Sequence, residues 1–332
     1  MEHRTQMERA ETSPLDWRWM AAIGGGFVLC WASGFVVPRV FVDSAEPLTF
    51  VALRNGGAAL VLLAISFALG ATWPQAPRDI CGLVWTGACL QGFSVMGLYW
   101  AVYSGLPVGI AALIGGLQPA LTALFAIELA GESLSFAQWT GVALGFAGLA
   151  TAVWPKIAWE GSGVVLPLSA LAGVAFMAYA SIYQKRYAAI GDAWSRTTIM
   201  FIGATVPAAV GAVLFEQGRL IWSGPMIAVY TWSVLALAVG ATMALLFLIE
   251  RGQASRAASL IYLVPPVSAA MAYAGFRETV TAWQVAGFGI SVIGVALVQL
   301  KQDKAADADC GQHSEMATTL AHEPQHRHHR RH

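Results

Sequence analysis

The sequence predicts an all-α membrane protein with ten transmembrane helices, arranged as two inverted five-helix repeats with both termini on the cytoplasmic side. Three observations carry this. Of 332 residues, 57% are hydrophobic and 11% charged, against the roughly 25% charged of a soluble globular chain. Uncharged runs long enough to cross a bilayer core of about 30 Å, which takes roughly 20 helical residues, recur along the chain. The second half of the chain repeats the first over a unit with an odd number of such runs.

The runs lie at 19–37, 48–69, 80–103, 107–127 and 136–154 in the first half, and at 163–184, 197–215, 226–249, 257–276 and 282–300 in the second. They divide the chain into a cytoplasmic N-terminal tail (1–18), a first repeat (19–154), a second repeat (163–300) and a disordered cytoplasmic tail (301–332) that ends in a His/Arg cluster and receives no function. The connections are too short for a separate domain. Arg18 ahead of an apolar run resembles a signal peptide, but nine further runs follow, so the first run is read as a retained span.

Basic residues orient the chain. The tails and even-numbered connections carry Arg4, Arg9, Arg18, Arg78, Lys185, Arg186, Arg196, Arg251, Arg256, Lys301 and Lys304, while the opposite side carries Arg39, Lys156, Arg219 and Arg277. The connection 128–135 lacks a basic residue, and its Glu128 and Glu132 weigh little in this rule.

A shift of 147 superposes Gly105, Ala111, Leu113, Ile114 and Pro119 on Gly252, Ala258, Leu260, Ile261 and Pro266. A shift of 146 superposes Glu132, Ser135, Gln138, Gly141 and Gly148 on Glu278, Thr281, Gln284, Gly287 and Gly294. Five helices is an odd number, so the second copy enters the membrane from the other side, an arrangement suited to alternating access around a site near the midplane. Ser135-x-x-Gln138 and Thr281-x-x-Gln284 are capping boxes that begin spans five and ten. Glu132 and Glu278 are expected to favour the positive ends of those same helices. Gly141/Gly145 and Gly287/Ser291 allow close helix approach, in intramolecular packing or in a dimer contact, with packing favoured.

Gly131-Glu132-Ser133 with Gln138, Gly141 and Gly148, echoed by Arg277-Glu278-Thr279 with Gln284, Gly287 and Gly294, resembles the duplicated domain of the drug/metabolite transporter superfamily. Trp31-Ala32-Ser33 and Arg54 add to the likeness, which covers residues 19–300. Within that superfamily the chain is similar to the ten-helix EamA-type carriers, and in particular to bacterial exporters of aromatic and other amino acids. The resemblance implies an inner-membrane exporter of small metabolites. Ala32 stands where many relatives have Gly, and Tyr179 is the second-half counterpart of Trp31.

Candidate site residues follow from the polar and aromatic groups inside the spans. Pro119 and Pro266 break spans four and nine and release the carbonyls of Gly115 and Tyr262, which at membrane depth need protein or a watery cavity. A purely mechanical kink is the alternative. Gln118 sits at the first break, and Gln91 and Ser94 share a face of span three. The pairs Trp31/Phe35, Tyr99/Tyr103 and Tyr179/Tyr183 each share a helical face, as cavity lining or as interfacial belt and core packing. Lining of this kind suits an amino acid or a flat metabolite. The expected substrate-binding set is therefore Trp31, Gln91, Tyr99, Tyr103, Gln118, Tyr179, Tyr183 and Tyr262, with Pro119 and Pro266 as gating breaks. Arg54, the one formal charge inside the ten runs, is read as snorkelling, capping a helix or holding a substrate carboxylate.

The 19 basic and 19 acidic residues cancel, which disfavours nucleic acid as a partner. The four cysteines, Cys30, Cys81, Cys89 and Cys310, contain no CxxC pair, so neither a metal site nor a disulfide framework is expected, and no cofactor. A membrane enzyme lacks its constellation of His, Asp and Cys. No Asp, Glu or His falls within the ten runs, which favours facilitated export over proton coupling. A proton-coupled exporter of drugs or other metabolites is the alternative. The partners expected are a small-molecule substrate and the lipid bilayer, with the protein a monomer or homodimer.

Overall fold

Residues 17–131, 133–159, 164–187, 189–244 and 263–298 are described by the computed structural model. Most of both tails, Glu132 and Tyr262 lie outside them. The described residues are helical apart from turns and one antiparallel bridge, between Ala45 and Leu220. The first five helices are α1 (Trp17–Phe41), α2 (Pro47–Ala68), α3 (Pro77–Tyr103), α4 (Val108–Ala130, interrupted at Leu117) and α5 (Phe136–Trp159). After them come α6 (Val165–Arg186), α7 (Ala193–Phe215), α8 (Gly224–Ala244), α9 (Val264–Phe276) and α10 (Ala282–Val298). By length and composition, seven of these, α2 to α8, can cross a membrane.

Caps explain where the helices begin. Pro47, Pro77 and Pro225 occupy first-turn positions, where a missing N–H costs nothing. Asp192 accepts from the Trp194 N–H at 2.8 Å and Ser223 from that of Met226 at 3.3 Å. Both capping boxes form: the Gln138 and Gln284 amides accept from the Ser135 and Thr281 N–H groups at 2.9 and 2.8 Å. These caps carry several helices past the uncharged runs, so Asp79 falls in the first turn of α3 and Glu128 in the last turns of α4. The expectation that no acidic residue lies within a span is corrected accordingly, and both residues are close to helix ends.

Among the described residues, three pairs of corresponding helices pack antiparallel across the halves. Along α2 and α7, Thr49 meets Glu216, Asn55 meets Ala204 and Ser66 meets Thr198. Along α4 and α9, Gly109 faces Ala269 and Gly116 faces Pro265. Along α5 and α10, a Cβ on Gly141 would stand 2.5 Å from the Gly294 carbonyl, and one on Gly287 2.5 Å from that of Gly148. Ser291 closes the last contact by donating to the Gly145 carbonyl at 3.0 Å. The small-residue stripe is thus used inside the chain, as packing between its halves.

Carboxylates fasten one end of the bundle, where α1, α3 and α7 finish and α2, α4 and α8 begin. Glu216 accepts from the Leu48 N–H, the Thr49 N–H and the Thr49 hydroxyl, each at 2.7 Å, and so caps α2 from the other half. Glu46 accepts from the N–H groups of Gln217 (3.0 Å) and Arg219 (2.8 Å) in return. Glu278 accepts from the Val108 N–H at 2.9 Å. It therefore caps α4 of the other half, because the chain leaving α9 passes the start of α4.

Gly131 (φ 69°) ends α4 in the left-handed conformation, and its repeat mate Arg277 (φ 56°) ends α9 in the same way. A side chain there costs roughly 1 kcal/mol. Arg277→Gly is expected to stabilise the protein by about 0.5–1 kcal/mol, read as a raised unfolding temperature in detergent. Gly148→Val, whose side chain would meet Ser291 and the Gly287 carbonyl, is expected to cost about 1–3 kcal/mol in the same measurement.

Candidate functional site

At Leu117 (ψ −4°) the backbone leaves the α-helix, and α4 splits into Val108–Gly116 and Gln118–Ala130. Pro119 starts the second piece, since it lacks the N–H that would bond the Gly115 carbonyl. In the other half, α9 opens with Leu263 as cap and Pro265 and Pro266 in its first turn, while the residues before Leu263 lie outside the described set. Proline thus marks the break in α4 and the start of its repeat mate α9. Repeat mates α3 and α8 also carry π-helical turns, at Ala88–Phe93 and Trp232–Ala241. Such turns shift a backbone carbonyl out of register, and in α3 the Gln91 carbonyl accepts from the Asn55 amide at 3.3 Å.

Between the α4 break and the start of α9 is a cavity of about 30 Å³, lined by Trp31, Phe35, Leu98, Ala112, Gly115, Gly116, Gln118, Met177, Val264 and Pro265. It draws on α1, α3, α4, α6 and α9, so it lies on the seam of the two halves. Gly115 permits the close approach of the Phe35 ring, whose tip would stand 2.7 Å from a Cβ. The wall is apolar except for the Gln118 amide, which donates to the Ser181 hydroxyl at 3.2 Å. A volume of this size holds only a few waters, so the walls must part to admit an organic solute.

The structure brings Trp31 and Gln118 together in this cavity, with Phe35 joining from the Trp31 pair. Other expected residues lie elsewhere. Tyr99 is buried in the core, its ring 6.1 and 6.2 Å from those of Phe41 and Phe50. Tyr103 accepts from the Arg219 guanidinium at 2.7 Å at the fastened end. Tyr179 and Tyr183 pack ring on ring at 4.7 Å towards the opposite end, with Arg186 over Tyr183 at 4.6 Å. Gln91 is half-buried, and Tyr262 lies outside the described residues.

Pro119 sits at the break but is not among the lining residues. Of the proline pair in α9, Pro265 lines the cavity and Pro266 is exposed. Arg54 is 5% exposed, with Nη1 donating to the Asn55 side-chain Oδ1 at 2.9 Å, so it does not snorkel. The π turns escaped the sequence reading, whereas Pro119 marked the break in α4.

Residues 18–154 and 166–300 match the model of the EamA-like transporter family. The chain belongs to that family. Its relatives include the transporter YvbV of Bacillus subtilis, 26% identical over 86% of this chain and 92% of YvbV. In Streptantibioticus cattleyicolor a "probable terminal-alkyne amino-acid exporter" is 26% identical over 82% of this chain and 90% of its own length. A "probable amino-acid metabolite efflux pump" of Escherichia coli is 23% identical over 81% and 90%. A crystal structure 20% identical in sequence superposes with a TM-score of 0.60 over 86% of this chain and 98% of its own, and shares the fold. This EamA-family protein is a multi-pass membrane transporter.

Replacing Pro119 with Ala restores the missing N–H and should let α4 run straight through Leu117. Turnover in proteoliposomes is expected to fall by at least about threefold, because restored helix bonds stiffen a wall that has to move. An unchanged rate would make the break incidental.

Proposed function

We propose that this transporter exports small metabolites, most of all amino acids including aromatic ones, from the bacterial cytoplasm across the inner membrane. It does so by alternating access of two inverted repeats around the seam cavity. In this reading α1 to α10 are ten membrane spans, both termini are cytoplasmic, and the domain limits are those of the two repeats, 19–154 and 163–300. The fastened end then faces outward.

One observation carries the proposal: the broken helix α4 of the first half and the proline-marked start of α9 in the second meet at a cavity whose wall offers two aromatic rings, Trp31 and Phe35, and one amide, Gln118. Rings suit an apolar or aromatic side chain by stacking. The amide, the glycine-flanked break and the backbone around it supply hydrogen bonds to a polar headgroup of the kind amino acids carry. The names of the amino-acid exporters among the relatives agree in substrate class. Among the described residues that line this cavity none carries a titratable side chain, in keeping with facilitated movement down the substrate's own gradient.

Counterflow of labelled L-phenylalanine into proteoliposomes loaded with amino acids, nucleobases, sugars or quaternary cations tests the reading. Amino acids are expected to drive uptake with no pH gradient present. Uptake driven only by a pH gradient, or only by another class of solute, would overturn it in favour of the proton-coupled alternative or another substrate. Gln118→Ala and Trp31→Ala should each lower phenylalanine flux by about tenfold or more while leaving the unfolding temperature within a few degrees.

A further inference from the structure

The most extensive contact between the halves lies away from the cavity, along α2 and α7, and it is closed at both ends in the same conformation. At the end where α2 begins, the Glu46 N–H donates to the Arg219 carbonyl at 3.2 Å, the Ile221 N–H to the Ser44 carbonyl at 2.7 Å, and Glu216 caps Leu48 and Thr49. At the end where α7 begins, the Asp192 N–H donates to the Thr72 carbonyl at 3.1 Å and the Ser195 hydroxyl to the same oxygen at 2.6 Å. The two clasps are repeat images: Glu46 maps on Asp192 (192 − 46 = 146) and Thr72 on Arg219 (219 − 72 = 147). Between them the Ser66 and Thr198 hydroxyls bond at 3.1 Å, and the buried Asn55 amide donates to the Ala204 carbonyl at 3.4 Å.

A pair of helices that gates must separate at one face while it seals the other. The α2–α7 pair seals both at once. The first half of α4 and α9 differ: they face each other at Gly109–Ala269 and Gly116–Pro265, Glu278 on the Val108 N–H ties them at one end, and Gly116 and Pro265 line the cavity towards the other. We infer that α2 and α7 form a fixed spine, clasped at both membrane faces throughout the transport cycle, and that access alternates by movement of α4 and α9 beside it. This rests on the alternating-access reading above.

Reversible cross-links separate the two ideas. In a parent with Cys30→Ala, Cys81→Ser, Cys89→Ala and Cys310→Ser, the spine is locked at one end by Ala45→Cys with Leu220→Cys. These residues oppose each other in the antiparallel bridge, where Cα atoms are about 4.5–5.5 Å apart, within disulfide reach. It is locked nearer the other end by Ser66→Cys with Thr198→Cys. Gly109→Cys with Ala269→Cys, whose Cβ atoms would lie 3.3 Å apart, locks α4 to α9. Each oxidised sample is compared with itself after dithiothreitol, in labelled L-phenylalanine counterflow. Ser44/Ile221 and Thr72/Asp192 cysteine pairs replace a spine pair that is inactive when reduced.

Oxidised spine pairs are expected to keep flux within about twofold of the reduced samples, and the α4–α9 pair to lose at least about tenfold. Flux stopped by a spine cross-link and restored by dithiothreitol would overturn the fixed spine alone. Flux untouched by the α4–α9 cross-link, or a parent that moves no phenylalanine, would overturn the functional reading and the inference with it.

Discussion

A bilayer interior offers no water to a peptide group, so each backbone N–H and C=O at that depth must find its partner within the protein. The rest of this structure follows from how that constraint is met where helices are not continuous. Long helices satisfy it along their length. Their ends, the break in α4 and the π turns in α3 and α8 do not, and there the chain brings in side chains: Glu216 on the start of α2, Glu278 on the start of α4, Asn55 on the Gln91 carbonyl. These partners come from other helices, and the two glutamates from the other half. The caps therefore join the halves as well as finishing the helices.

The same constraint locates the cavity. An interrupted helix is tolerated only against protein or a space that admits water, and Gly115, Gly116 and Pro265 line such a space at the seam. Elsewhere the seam is occupied by direct backbone approach, at Gly141, Gly148, Gly287 and Gly294. Small residues at one stretch and helix breaks at another divide the contact into a close-packed part and a part able to open. Buried Arg54 belongs to the packed part: it is held beside Asn55, in a region where α2, α3 and α7 converge.

Much of the fold was legible because it is written in short-range chemistry. The α2 to α8 spans show as apolar runs, the capping boxes at Ser135 and Thr281 follow from local spacing, and Pro119 removes an N–H wherever it sits. The site was less legible. Trp31 and Gln118 reach the cavity, but Tyr99 turns to the core and Tyr103 to Arg219, because a shared helical face says which residues travel together and not which neighbour that face meets. The Glu278 cap on α4 was not legible for the same reason, since local spacing cannot see that a loop passes the start of another helix.

By itself the sequence determined the helical, membrane-embedded class, the duplication and the position of the α4 break, since hydropathy, repeat spacing and a missing proton on proline act over a few residues or along one chain. Tertiary structure alone decided which faces meet: α2 with α7 and α5 with α10, the carboxylate clasps, and the subset of aromatic and amide groups that line the seam. Those outcomes depend on the rotation of each helix about its axis, which is set by packing against partners more than a hundred residues away in the chain.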